Sequence, residues 1–135
     1  MWIQAVFVFL GGAIGASIRE FLMLLIPQQS GAFPLDIFTA NVVASFVLGA
    51  ATGMHLVGRV SDEFILLIGT GLAGGMSTFS SFVYGIYSEA VAPGQLGLAA
   101  LYCISSLIIG YGAVSVGIAA GKRARGASAA PGDAT

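Results

Sequence analysis

The residues whose types and spacing could do chemistry are concentrated in one stretch, Gly69-Thr70-Gly71-Leu72-Ala73-Gly74-Gly75-Met76-Ser77-Thr78-Phe79-Ser80-Ser81-Phe82. Four glycines followed by four hydroxyls make a poor continuous helix, because each interior glycine costs about 1 kcal/mol relative to alanine. A helix interruption is expected near residues 74–80. Half-helix ends at such a point offer N–H groups to anions and carbonyls to cations. Upstream, Asn41, Ser45, Thr52 and His55 fall within about 80° of arc at roughly 100° per residue. Asn41 offers two amide N–H donors and is the strongest candidate for a ligand contact. Ser45 and Thr52 could equally bond a neighbouring helix, and His55 reads as a solvated or capping residue. Downstream, Tyr102, Ser105 and Ser106 add a hydroxyl-bearing face.

Phe79 and Phe82 are three residues apart and share a helix face. Such a pair ordinarily packs in a core. A phenyl edge is electropositive, however, and beside neutral donors it suits a small anion that must shed its water. Arg19 is an ionised residue inside an apolar segment, which makes it a functional candidate. Neutralising the adjacent Glu20 or snorkelling to the headgroups are the simpler alternatives. The spacing Gly69-x-Gly71-x-x-Gly74 matches a dinucleotide fingerprint, but that motif needs a preceding strand and a βαβ unit, and the surrounding sequence provides neither.

The elements that must position these residues follow from composition. The chain has 135 residues, 57% hydrophobic and only 8% charged, against roughly a quarter charged in soluble domains. Uncharged runs separate the few charges, and about 20 apolar helical residues cross a bilayer. The reading is therefore an all-α membrane protein with four spans at about 2–26, 37–58, 64–89 and 95–121, the third broken near its middle. This excludes an ordinary soluble enzyme. A net charge of −1 leaves no basic surface for nucleic acid. The first apolar run lacks a basic leader and outlasts a signal h-region, so it reads as a retained span. Pro27 and Gln28-Gln29-Ser30-Gly31 supply the first loop, Asp36 can cap the second helix, and residues 122–135 read as a disordered tail, basic and then rich in Ala and Gly. Cys103, the sole cysteine, reads as a packing residue.

Glycine pairs four residues apart (Gly11/Gly15, Gly49/Gly53, Gly71/Gly75, Gly117/Gly121) predict close helix packing. So tight a bundle would fill its own interior, which places a transport path between two chains. With four spans, Arg59, Lys122, Arg123 and Arg125 share the side of both termini, and the opposite loops hold no Lys or Arg. The positive-inside rule puts both termini in the cytoplasm.

These residues resemble the small fluoride channels called Fluc or CrcB. The resemblance rests on Gly11-Gly12-x-x-Gly15-Ala16-x-x-Arg19, Thr39-Ala40-Asn41 and Gly74-Gly75-Met76-Ser77-Thr78-Phe79-Ser80-Ser81-Phe82, the last of which looks like the family signature GGxTTFSTF. It implies passive fluoride export through two pathways in an antiparallel dimer in the cell membrane, with a central structural sodium ion. By position, it implies ring edges of Phe79 and Phe82 facing fluoride, an amide hydrogen bond from Asn41, and Arg19 holding fluoride near a vestibule. Thr78, Ser81, Ser45, Tyr102 and Ser106 would continue a polar track, and the carbonyls of Gly74 and Ser77 would hold sodium. No enzymatic step is implied.

Two departures stand out. Many relatives follow the second signature phenylalanine with Ser, a variable residue and Glu, whereas this chain has Val83, Tyr84 and Gly85. Homodimeric relatives carry little charge bias, whereas this chain is biased to one orientation. The partner is therefore either a second copy or an oppositely oriented homologous subunit. The other functional classes compatible with four spans are a proton-coupled small multidrug exporter, for which Glu20 would be the acid, and a non-transporting membrane subunit.

Overall fold

Long uncharged runs of Ala, Leu, Ile, Val and Met favour helices, and in lipid a helix satisfies its own backbone. The computed structural model describes residues 2–26 and 32–123. Four helical segments there are long and apolar enough to cross a membrane: Trp2–Leu25, Leu35–Leu56, Asp62–Val91 and Leu96–Arg123. Large side chains such as Trp2, Phe9, Phe21 and Leu107 face outward. The buried positions are mostly small, including Ala40, Ala44, Ala51, Ala73 and Ala99, with Met76 and Tyr102 the bulkiest apolar ones.

The helices are held by two glycine seams. Gly11 and Gly15 of span one lie against the backbone of Leu67 and Leu72, while Gly71 and Gly75 of span three lie against Val8, Gly11 and Gly12. Gly49 and Gly53 of span two meet Val114 and Ile118 of span four, and Gly117 and Gly121 meet the backbone around Phe46 and Ala50. All four sequence-predicted pairs are thus used, in two reciprocal pairings of spans one with three and two with four. Backbones this close leave no room for a Cβ on either side.

Span three is not one helix. A short turn Asp62–Phe64 leads into a π-helix, Ile65–Ala73, then one α-turn, Gly74–Met76, after which the chain is extended at Ser77 and Thr78 before the helix Phe79–Val91. The interruption falls inside the expected 74–80 window. The π-helix was not anticipated, because its i→i+5 winding leaves no mark in a pattern sought at 100° per residue.

Several boundaries differ from expectation. Pro34, not Asp36, is the N-cap of span two; Asp36 lies inside the first turn, 3% exposed, and makes no capping bond. Proline fixes the entry, leaving the carboxylate to be buried rather than to cap. Asp62 and Glu63 are the acidic first turn of span three, capped by Ser61, whose side chain accepts from the Phe64 N–H at 3.3 Å. Lys122 and Arg123 belong to the last turn of span four rather than to a tail. The expected loop residues 27–31 and the remaining tail, including Arg125, lie outside the described residues.

Gly75→Val should lower stability in detergent by about 2 kcal/mol or more through overpacking against Gly12. Gly97, a helical glycine with open space around it, should accept alanine with a gain of roughly 0.5–1 kcal/mol. Reversible denaturant titration followed by circular dichroism separates the two.

Candidate functional site

The break is organised by one side chain. Thr78 donates its backbone N–H to Asn41 Oδ1 at 2.8 Å, and Asn41 Nδ2 donates to the Thr78 carbonyl at 3.4 Å. The asparagine amide therefore pairs with both polar groups of the unwound peptide, as a neighbouring strand would. Thr78 also caps the second half-helix, its Oγ1 accepting from the Ser81 N–H at 3.3 Å and donating to Ser81 Oγ at 3.1 Å. Ser80 Oγ lies 3.4 Å from the same hydroxyl. The run Thr-x-Ser-Ser thus starts a helix in the middle of a membrane span.

Beside this pairing runs a groove of about 290 Å³. Asn41 and Ser45 of span two form one wall; Ser77, Thr78, Phe79 and Phe82 of span three form another; Ser106 and Leu107 of span four close it. None of these residues is charged. The Phe79 and Phe82 ring centroids are 6.2 Å apart with planes inclined at 41°, and Phe79 is 79% exposed while Phe82 leans on Tyr102 at 5.5 Å. Ser106 Oγ is buried without a hydrogen-bond partner among the described residues. The second N–H of Asn41 and the Ser106 hydroxyl are the side-chain donors of this lining not committed elsewhere among the described residues.

Of the predicted residues, the structure brings Asn41, Ser45, Ser77, Thr78, Phe79, Phe82 and Ser106 to this groove and leaves Arg19, Tyr102, Ser81 and Gly74 off its lining. Arg19 does not line this groove; its guanidinium Nη1 donates to the Gly75 carbonyl at 3.3 Å, on the span-one side of the break. Tyr102 is wholly buried behind Phe82 instead of on the lining. Ser45 donates to its own-helix Asn41 carbonyl at 2.8 Å and Ser105 to that of Tyr102 at 3.3 Å, so both hydroxyls serve their helices. His55 sits at the end of span two, 3.6 Å from Asp62 and 3.4 Å from the Val60 carbonyl, in its expected capping place. Gly85 lies against Tyr102 and Pro34, where a Cβ would come within 3.1 Å of the Tyr102 ring. The space a longer side chain would need at residue 85 is filled by that ring.

A second opening, of about 280 Å³, borders the groove at Ser45 and Ser77 and extends along Thr70 and Gly74. Because the Thr78 N–H is taken by Asn41, it cannot return to the Gly74 carbonyl, which instead accepts from Ser77 Oγ at 3.4 Å. The Ser81 N–H is likewise taken by Thr78 Oγ1, which leaves the Ser77 carbonyl without that helical donor. Both oxygens end a half-helix, where the dipole favours a cation. Nothing crowds Gly74, since a Cβ there would meet no atom within 4 Å. The oxygen set fits a hard cation such as sodium, with one chain supplying only part of a coordination shell.

A profile described as CrcB-like protein, Camphor Resistance (CrcB), matches residues 6–118. The chain belongs to the CrcB family. It is 42% identical over 118 residues to the fluoride-specific ion channel FluC 3 of Yersinia pseudotuberculosis, covering 87% of this chain and 88% of that one. It is 36% identical over 119 residues to FluC 2 of Bacillus subtilis, covering 88% of each. FluC 1 of Brucella abortus is 43% identical over 119 residues, which cover 87% of this chain and 44% of that protein. The CrcB match extends through all four spans and the break.

Asn41→Leu leaves the Thr78 N–H stranded, while the Thr78 carbonyl keeps the Phe82 N–H at 3.3 Å, and should destabilise the fold by about 1–3 kcal/mol. Thr78→Val removes only the cap and should cost about 1 kcal/mol. Asn41→Asp keeps the acceptor for Thr78 and should fall between them. Denaturant titration of the purified variants gives the order.

Proposed function

We propose that this chain forms a passive fluoride-selective channel in the cell membrane. The carrying observation is the uncharged groove at the broken third span, in which an amide, hydroxyls and phenyl groups surround a small space. Fluoride is a compact acceptor with a tightly held water shell. Donors must replace that water without binding so tightly that the ion cannot leave. A fixed cation in the groove would hold the anion; Arg19 avoids this by serving the Gly75 carbonyl. The Asn41 N–H not aimed at Thr78, the Ser106 hydroxyl and the edges of Phe79 and Phe82 offer graded contacts along a short path. The names of the curated relatives, which are fluoride-specific ion channels, support the same substrate and the absence of an enzymatic role.

The working unit in this reading is a dimer of oppositely oriented chains with two pathways. Thr70, Gly74 and Ser77 are exposed and line one opening beside the break of span three. Polar backbone and hydroxyls facing lipid at membrane depth are costly, so a second subunit must cover them. Sodium, when bound there, supplies fixed positive charge between the subunits. The Gly74 and Ser77 carbonyls of each chain would hold it and keep the break open. The basic residues Arg59, Lys122 and Arg123 favour cytoplasmic termini, and the partner is either a second copy inserted the other way or an oppositely oriented homologous subunit.

Reconstituted into vesicles loaded with fluoride or chloride, the chain should release fluoride and retain chloride, as read by ion-selective electrodes. Phe79→Ile and Asn41→Asp should slow fluoride release by at least about tenfold, a barrier increase near 1.4 kcal/mol. Efflux by the chain alone identifies the partner as its own copy. Proton-coupled release of organic cations would overturn the channel reading.

A further inference from the structure

The cation-facing carbonyls account for only one end of the second opening beside the break. The opening shares Ser45 and Ser77 with the groove, so the two spaces are continuous. From there it runs between Leu48 of span two and Gly69 and Thr70 of span three, toward the ends of those spans at Leu56 and Asp62. That is the side of the bundle that holds the termini. Among the described residues no charged side chain lines it.

Two hydroxyls of this lining are committed to their own chain: Ser45 Oγ donates to the Asn41 carbonyl at 2.8 Å, and Ser77 Oγ to that of Gly74 at 3.4 Å. Thr70 differs. It is exposed on the opening, and its Oγ1 has no hydrogen-bond partner among the described residues. Helical hydroxyls ordinarily turn back to a carbonyl three or four residues earlier, as Ser17 and Ser115 do at 2.9 and 2.8 Å. Thr70 lies in the π-helix Ile65–Ala73, whose wider i→i+5 winding moves those carbonyls from the place they take in an α-helix. A hydroxyl at membrane depth is thereby left free to serve the opening.

Its direction separates it from the cation-facing oxygens. Carbonyls of a helix point toward its C-terminal end, so that of Gly74 faces the break. Side chains leave the backbone tilted toward the N-terminal end, which carries the Thr70 hydroxyl, four residues earlier, away from those carbonyls. An anion beside Thr70 meets an O–H donor instead of oxygens that would repel it. A volume of about 280 Å³ gives room for a small ion with part of its water.

We propose that Thr70 is the donor of an inner fluoride station, through which the ion passes between the groove and the termini side of the membrane. Fluoride released by Asn41 and Ser106 in the groove accepts the Thr70 hydroxyl hydrogen in the opening while water fills its remaining contacts, and no covalent bond changes. The covering subunit closes the opening into a passage. This rests on the fluoride-channel reading and adds to it a second station and a residue, Thr70.

Two measurements test it. In vesicles, Thr70→Val, which keeps the shape and removes the hydroxyl, should slow fluoride efflux at least about tenfold, as loss of one hydrogen bond to an ion does. Thr70→Ser, which keeps the hydroxyl, should stay within about twofold of the native rate. The second measurement reads access by water. Thr70→Cys in a Cys103→Ala background should react with a charged, water-soluble thiol reagent, and that reaction should slow efflux. Ser17→Cys in the same background lies on the apolar outer face of span one with Ile14, Ile18 and Phe21 and should stay unmodified. The inference alone is overturned by native-rate efflux in Thr70→Val, by equal slowing in Thr70→Val and Thr70→Ser, or by Thr70→Cys reacting no faster than Ser17→Cys. Where Thr70→Val does not fold, the thiol reaction decides. A native chain that releases no fluoride overturns the channel reading and this inference together.

Discussion

An unwound peptide at membrane depth has no water to bond, and the fold depends on how that peptide is satisfied. Asn41 does this by matching the Thr78 N–H and carbonyl with its own amide. The pairing removes Thr78 from the helical ladder, and removal of that donor is what leaves the Gly74 carbonyl outside it. One amide thus holds the break, lines the groove with its remaining N–H and takes the Gly74 carbonyl out of the helical ladder. Position 41 has to be an amide, since a carboxylate cannot donate to the Thr78 carbonyl and an aliphatic residue can do neither job.

The glycine seams serve this arrangement indirectly. They draw span one against the first half of span three and span two against span four, so the second half of span three is the least tightly held by backbone contact. It is fixed instead by aromatic packing, Phe82 on Tyr102 and Tyr102 on Phe33, with Phe33 edge-on to Phe38 at 5.2 Å. Rigid backbone packing below the break and ring packing above it let the two halves of one span point different faces at the same groove.

Much of this could be read from residue order. Hydropathy alone marks four spans, the i,i+4 glycines mark the seams, and the glycine-then-hydroxyl run marks the break. The identities of Asn41, Phe79 and Phe82 as groove residues were also legible, because few polar or paired aromatic residues interrupt these helices. What stayed hidden was partnership. Nothing in the spacing tells whether Arg19 reaches a ligand or the Gly75 carbonyl, because that depends on how deep span one sits beside span three. The π-helix hid for a related reason, since its period is set by tertiary contact. Asp36 looked like a cap because it begins an apolar run; Pro34 had already taken that place, and burial of the carboxyl is a three-dimensional fact.

The seams join spans that are not neighbours in sequence. Spans one and two touch little, as do the first half of span three and span four, whereas one packs on three and two on four. A chain threaded into the bilayer from its N-terminus therefore has no tight pairing available until its third segment has entered, and the second pairing waits for the fourth. Synthesis must hold two or three helices in lipid as independent rods before any of them associates. Each must consequently be stable across the membrane by its own hydropathy, which explains why the chain tolerates so few charges even at positions the finished bundle buries.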